Sequence, residues 1–388
     1  MTFRTRLVVV LVSTPLIAFA LVGGLLGRAS AGQNSYQHLR VFEDVVQLIL
    51  AGYVEEVDIN RVMEGAMRGL ADGLDADSAY LTSDEARAVD QGAPLPEGGV
   101  GVELTRQYYL RIIAARDDSP AARAGLRTGD YIRAIDGHPT RDMSVFEGTR
   151  LLRGAPGTGV SVTVIRGNAA EPHMVKLVRE KSPAPAVPAR TIQPGIGYVR
   201  ITAFGPEVRD QVKRRIDELA RAGATKLILD VRNTAEGGLD PGIDVARLFV
   251  PSGTLAIRAN RDGNREPITT RSGDGAVTLP VLVLTNHGTA GAAELFAAAL
   301  AGNSRADIVG ERTAGRAGIQ KLVRLPEDRA LWLTWSHFLT PKGEPVQAHG
   351  VAPTVEIDEP EVDFGATPPS SDPILEAALA RFGLKRAA

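Results

Sequence analysis

Few side chains in this 388-residue sequence are chemically reactive, so their spacing decides what they can do. There is no cysteine, which excludes a thiol nucleophile, a thiolate zinc site, a disulfide framework and a lipoprotein anchor. The six histidines and the carboxylates show no metal-ligand spacing, and no cofactor is expected. A hydroxyl and an imidazole adjoin at Ser336 and His337, and His287 stands near Thr289. Each has an ordinary reading beside the reactive one: His287 caps a loop, and Ser336 and His337 belong to a strand. Arg247, Arg258, Arg261 and Arg265 read as a solvated surface and not as a phosphate site.

The elements that must hold these groups follow from periodicity. Residues 36–95 read as a helical segment. Val41, Val45, Leu48 and Ile49 recur at helix spacing, as do Val62, Ala66, Leu70 and Leu74, and Asp58 can cap the second run. Residues 96–182 turn to short strands at 100–104, 110–113, 131–135, 160–164 and 174–178, interrupted by one helix near 144–152. Four prolines between 182 and 194 make a stiff linker. Within 190–358, strand signals at 196–201, 226–231, 281–284 and 306–309 alternate with helices near 206–222, 240–249 and 290–302, which argues α/β. A late strand falls at 331–339, and the tail 359–388 carries a short helix at 373–382.

Composition narrows the class further. Hydrophobic residues at 44% and charged residues at 23% suit a globular protein, and a net charge of −2 with no basic cluster argues against a nucleic-acid partner. The amino terminus is different. Arg4 and Arg6 precede an uncharged run, 7–27, long enough to span a hydrocarbon core of ~30 Å. Residues 1–31 are therefore a signal anchor or a signal peptide. Ala29-Ser30-Ala31 resembles a cleavage site, whereas the length of the run favours an anchor. Either way the bulk of the chain is expected outside the cytoplasm, in the periplasm or cell envelope of a bacterium.

The region 96–182 resembles a PDZ domain. The residues that carry the resemblance are Gly99-Val100-Gly101-Val102, then Ser119 to Leu126, Gly129-Asp130, Ile135-Asp136-Gly137, Gly154 and Gly157-Thr158. A PDZ domain uses such a glycine turn to aim backbone amides at a peptide's terminal carboxylate, while its edge strand takes up the peptide as an added strand. The resemblance implies peptide binding at Gly99, Val100, Gly101 and Val102.

The region 190–358 resembles the core of the C-terminal processing peptidases, or tail-specific proteases. Leu227 to Asn233, Gly237-Gly238-Leu239, Val245 to Phe249, Pro280 to Asn286, Val309-Gly310-Glu311, Thr340-Pro341 and Gly350 to Pro353 carry it. The implied fold is an α/β protease core of ClpP/crotonase-like βαβ layers with an inserted PDZ domain and an N-terminal helical segment. The family's activity is serine-type endopeptidase, with a serine nucleophile, a lysine base and a glutamine that orients the lysine. Here the nucleophile position in the run Thr289 to Glu294 holds Gly291, the base position holds Arg316, and Gln320 alone persists. Glycine offers no attacking atom, and a guanidinium does not accept a proton at physiological pH. The oxyanion amides are implied at Gly237, Gly238 and Ala292, but the loop before them, Asn233-Thr234-Ala235-Glu236, has gained a residue and lost a proline. Loss of one such donor costs ~3 kcal/mol of transition-state stabilisation. Thr289 sits two positions from Gly291, and Lys321 follows Gln320 on a strand whose neighbours face opposite ways, so neither replaces the missing pair.

Three readings stand at this level. The favoured one is a pseudoprotease that binds peptide or protein C-termini without cutting, as a homodimer or as a heterodimer with an active relative. The resemblance implies dimerisation through terminal helices, here 36–60 and 373–382. The second is an active endopeptidase with relocated catalytic residues. The third is a structural envelope protein that binds no peptide.

Overall fold

The computed structural model describes residues 37–90, 96–167, 171–367 and 369–383. The apolar run 7–27, on which the anchor and signal-peptide expectations rest, lies outside them. Among the described residues no helix is long and apolar enough to cross a membrane. The chain divides into two compact units, Met1–Met67 and Arg68–Ala388.

In the first unit, helix α1 covers 37–52 and leaves Leu39, Val41, Val45, Leu48 and Leu50 exposed. Helix α2 (Ile59–Asp72) starts in this unit. Asp58 caps it as expected, accepting from the Asn60 N–H at 3.0 Å.

The second unit begins where the helical pattern of 36–95 is interrupted, at the segment 74–81. Residues Ala79–Leu81 form a strand, β1, followed by helix α3 (Ser83–Asp90). A three-residue strand is too short to announce itself by alternation. The PDZ region follows as β2 (Gly98–Gly99), β3 (Val102–Gln107), β4 (Tyr109–Ala115), α4 (Pro120–Arg123), β5 (Tyr131–Ile135), β6 (His138–Pro139), α5 (Val145–Leu152), β7 (Gly159–Ile165), β8 (His173–Val178) and β9 (Glu180–Lys181). Its sheet runs β3-β4-β5-β7-β8, which leaves β3 on an edge. Val160, Val162 and Val164 alternate into a core shared with Leu104, Leu110 and Ile132. Ser144 caps α5 through the Glu147 N–H at 3.0 Å.

The remaining elements are β10 (Ala189–Gln193), β11 (Ile196–Arg200), α6 (Val208–Arg221), β12 (Lys226–Asp230), α7 (Leu239–Ala246), β13 (Thr254–Asn260), β14 (Arg265–Thr269), β15 (Val281–Thr285), α8 (Ala292–Gly302), β16 (Ala306–Gly310), β17 (Gly318–Arg324), β18 (Ala330–Leu339), β19 (Val355–Glu356) and α9 (Pro373–Arg381). The main sheet runs β10-β11-β12-β15-β16-β19, with β11 through β19 parallel. Both faces are covered. Leu227 and Leu229 face a core with α6, α7 and α8, while Ile228 faces Ile374 and Ala378 of α9. Every residue of α8 from Ala292 to Leu300 is buried, so this helix must be apolar all round, and Glu294 is its one charged exception. A fully buried Leu or Phe in it contributes roughly 1.5–3 kcal/mol.

A second sheet, β1-β18-β13-β14 with β17 on β18, closes the protease layer. Because β1 precedes the PDZ region and pairs with β18, the PDZ domain is an insertion into this fold. One surface reading fails. Arg247 is buried, with its guanidinium 2.9 Å from Asp274 and donating to the Thr269 carbonyl at 2.8 Å. It follows α7 directly, and a charge there is tolerated because it is fully paired. Arg258 does lie at the surface, against Glu266.

Candidate functional site

The site forms where β12 and β15 end, at the carboxyl edge of the parallel sheet, where open α/β sheets place ligands. Two loops leave there. The side chain of Asn286 ties them together, accepting from the Asn233 N–H at 2.9 Å and donating to Asn233 Oδ1 at 3.0 Å. The Thr289 hydroxyl is buried, accepts from the Asn286 N–H at 3.1 Å and donates to the Val231 carbonyl at 2.9 Å. It holds the loop and is not free to attack.

Gly291 caps α8 with φ 62° and ψ −119°. A residue with a Cβ adopts that conformation only at a cost of about 1–3 kcal/mol. Space is not the obstacle. A Cβ placed there meets the Arg316 carbonyl at 3.7 Å, Leu239 Cδ2 at 3.8 Å and the Ala235 carbonyl at 3.9 Å. Two of these three neighbours are acceptor oxygens, which repel developing negative charge. Ala235 belongs to the lengthened loop. Of the three implied oxyanion residues, Gly237 is held against Phe204 so closely that a Cβ would stand 1.9 Å from its carbonyl oxygen. Gly238 caps α7, and Ala292 opens α8 with an N–H that has no intrahelical acceptor.

Glu294 organises the surroundings. Its buried carboxylate accepts from the N–H groups of Gly291 at 2.9 Å, Gly315 at 2.6 Å and Arg316 at 2.7 Å, and from the Thr313 hydroxyl. Burial raises its carboxyl above the ordinary range, against the pull of these four donors. It thereby fixes the Gly291 turn to the loop bearing Arg316. Nothing local in the sequence announces this part of Glu294, since three of its four donors lie 19 to 22 residues away.

The Arg316 side chain leaves this turn. Its Nη1 donates to the Leu104 carbonyl at 3.0 Å, its Nε stands 2.9 Å from Asp77 Oδ1, and Nη1 lies 3.6 Å from Glu103 Oε2. Burial pushes the Glu103 carboxyl up, opposed by Arg316 and reinforced by Glu236 and Asp77. Gln320 Nε2 turns to Thr334 Oγ1 at 3.4 Å, across to β18. Asp77, Glu103 and Leu104 were not legible as partners of position 316, because they come from two distant segments of chain.

The PDZ domain lies directly on the site. A bulge in β4 at Ile113 lets Ile113 and Ala114 pack on Ala290 and Ala235. Arg116 pairs with Glu236 at 3.1 Å, and Arg200 grips both oxygens of Asp117 at 2.9 and 3.0 Å. The turn Gly99-Val100-Gly101-Val102 lines a cleft together with Leu152 and Arg153 at the α5 end and with Asn233, Ala235 and Glu236. Gly101 has φ 77°, and a Cβ there would strike Ser119. The sequence residues expected to bind peptide are thus together, and their cleft is bounded by Asn233, Ala235 and Glu236 of the loop that precedes Gly237.

The scattered alternatives do not converge. Among the described residues no hydrogen bond joins a hydroxyl to a histidine. Exposed His287 stands 3.8 Å from Glu311, Ser336 and His337 are consecutive in β18, and Lys321 lies over the Trp335 ring at 4.5 Å. Nor does any group of His, Asp or Glu among the described residues have metal-binding geometry. Beneath the site, burial alone would raise the Asp230 carboxyl, but Arg232 and Arg200 overcome it and hold it below the usual range.

Residues 195–357 match the family described as peptidase family S41, and residues 111–166 match the PDZ domain. A carboxy-terminal-processing protease of Bartonella bacilliformis is 30% identical over 334 residues, covering 84% of this chain and 77% of that protein. A carboxyl-terminal-processing protease of Synechocystis is 34% identical over 288 residues, covering 72% of this chain and 67% of that protein. Among solved structures, the photosystem II D1 C-terminal processing protease superposes with a TM-score of 0.69 at 27% identity, covering 82% of this chain and 92% of that one.

Proposed function

We infer from one premise, that the chain belongs to peptidase family S41 and its C-terminal processing proteases, that this member binds peptide or protein C-termini without cleaving them. The observation that carries the reading is the pairing at the two reacting positions. Gly291 supplies no atom to attack a carbonyl, and the Arg316 side chain is committed to Asp77 and Leu104. Serine-type acyl transfer needs an attacking oxygen and a base able to take its proton. The Ala235 carbonyl beside Gly291 works further against an oxyanion.

The binding half of the proposal is supported by the relatives' names and by the PDZ turn at Gly99 to Val102, which faces a cleft containing Arg116 and Arg153. Amides and guanidinium groups together suit a terminal carboxylate. We place the protein outside the cytoplasm of a bacterium, anchored through residues 7–27. We propose that the exposed apolar residues of α1 make it a homodimer or join it to an active relative.

The test uses the purified full chain with a fluorophosphonate probe and with an unfolded protein substrate. No labelling and no cleavage are expected. Labelling of any hydroxyl would replace this reading with that of an endopeptidase whose catalytic residues have moved. Failure to bind any C-terminal peptide would leave a structural envelope protein.

A further inference from the structure

We infer that Arg316 is an internal competitor for the peptide-binding edge of β3, so that an incoming C-terminal strand and the Arg316 contact exclude one another. This rests on the reading that the PDZ cleft takes peptide C-termini.

β3 is the outermost strand of its sheet. Leu104 stands opposite Ile112, but Ile112 directs its N–H to the Asp130 carbonyl at 2.8 Å and its C=O to the Gly129 N–H at 2.8 Å, both on the far side of β4. The Leu104–Ile112 pair is therefore a non-hydrogen-bonded one, and the N–H and C=O of Leu104 point to the open edge. The register upstream agrees, because the Gly101 carbonyl turns inward to the Arg116 N–H at 2.8 Å. Val102, Leu104 and Arg106 consequently present the edge that an added strand would use.

Arg316 already occupies that edge. Its Nη1 donates to the Leu104 carbonyl at 3.0 Å, while its Nε is anchored 2.9 Å from the buried Asp77 carboxylate. A strand added at sheet spacing runs about 4.8 Å from β3, through the space in which this guanidinium stands. Glu103 at 3.6 Å adds a second carboxylate to the anchor. The side chain at the former base position thus reaches from the S41 core to the open edge of β3 and holds that edge against an incoming peptide. Peptide entry must first detach Arg316, which frees one of the contacts that fasten the PDZ domain over Gly291.

The experiment measures fluorescence anisotropy with the full chain. The probes are twenty pools of fluorescein-labelled decapeptides, each with one fixed C-terminal residue and a free carboxylate, and the same pools amidated. Arg316→Ala is expected to bind the preferred carboxylate pool about 10-fold more tightly than the unmodified protein, the equivalent of one charge-assisted hydrogen bond. Asp77→Asn, which loosens the anchor, is expected to shift affinity the same way by less. Arg316→Lys keeps the charge without the planar fork and is expected to fall between, which guards against a misfolded alanine variant. Equal affinity in all four proteins overturns the competition and leaves peptide binding standing. Weaker binding by Arg316→Ala overturns it too, because Arg316 then belongs to the ligand site. Absence of binding to every pool by every protein sinks the peptide-binding reading, and the competition with it.

Discussion

Placing a hydroxyl and an amine at the two positions, by Gly291→Ser with Arg316→Lys, is the sharpest perturbation of this site, and the structure predicts that it creates no working dyad. The serine itself fits, since its Cβ would meet nothing closer than 3.7 Å. The backbone at φ 62° and ψ −119° costs about 1–3 kcal/mol once a Cβ is present, so Gly291→Ser and Gly291→Ala should destabilise alike. The lysine has the larger difficulty. A base must be neutral, yet Asp77 and Glu103 both face the position now held by Arg316. One carboxylate at ~4 Å and an effective dielectric of ~20 favours the ammonium by about 4 kcal/mol. A lysine kept at or above its ordinary pKa of ~10.4 is neutral in about 4 molecules per 10,000 at pH 7. A weakened oxyanion site removes a further ~3 kcal/mol. Together these lower acylation by at least about five to six orders of magnitude (about 3.4 from the neutral fraction and about 2.2 from the oxyanion site) relative to an intact dyad. The assay is fluorophosphonate labelling of the full-length double variant, read by intact mass, beside urea unfolding of the two single Gly291 variants. Stoichiometric labelling within minutes would refute the electrostatic argument. Unchanged stability in both Gly291 variants would refute the backbone argument.

Other outcomes follow from the same contacts. Glu294→Ala leaves three backbone N–H groups and the Thr313 hydroxyl without their buried acceptor and should cost at least about 3 kcal/mol, measured by urea unfolding. Stability should depend on pH in two opposite ways. The depressed Asp230 carboxyl stabilises above its unfolded pKa of ~3.9, a contribution lost as pH falls through its lower folded value. The raised carboxyls of Glu103, Glu294 and Glu359 favour the fold most below their unfolded range, a contribution lost as pH rises through their folded values. The melting temperature should therefore peak on the acid side of neutrality, and a monotonic rise from pH 4 to 8 would contradict this. Substituting Val45 and Leu48 of α1 by glutamate should lower the mass found by light scattering if that exposed face joins two copies, and an unchanged mass would exclude it as the interface.

The sequence by itself determined the α/β layering, the PDZ region and the identities of the residues at 291 and 316, on which the proposed inactivity rests. Those depend on local periodicity, on turns that need glycine, and on the identity of single residues. The strands with strong apolar signals, such as 131–135 and 226–230, were legible for that reason. The hairpin of β13 and β14 was not, because β14 is mostly exposed and the buried Leu255, Ala256 and Ala259 of β13 follow no regular alternation. Arg247 misled, since nothing in its neighbourhood announces the buried Asp274 that neutralises it. Tertiary structure alone decided that Ile113 rests on Ala290, that the Ala235 carbonyl faces Gly291, and that Arg316 reaches Asp77 and Leu104. The partners in those contacts are separated by between 56 and 239 residues of chain, by subtraction of their numbers. No spacing rule spans such distances: the pairing of β12 with β15 brings Ala235 to Gly291, and the pairing of β1 with β18 carries the Asp77 segment onto the protease layer.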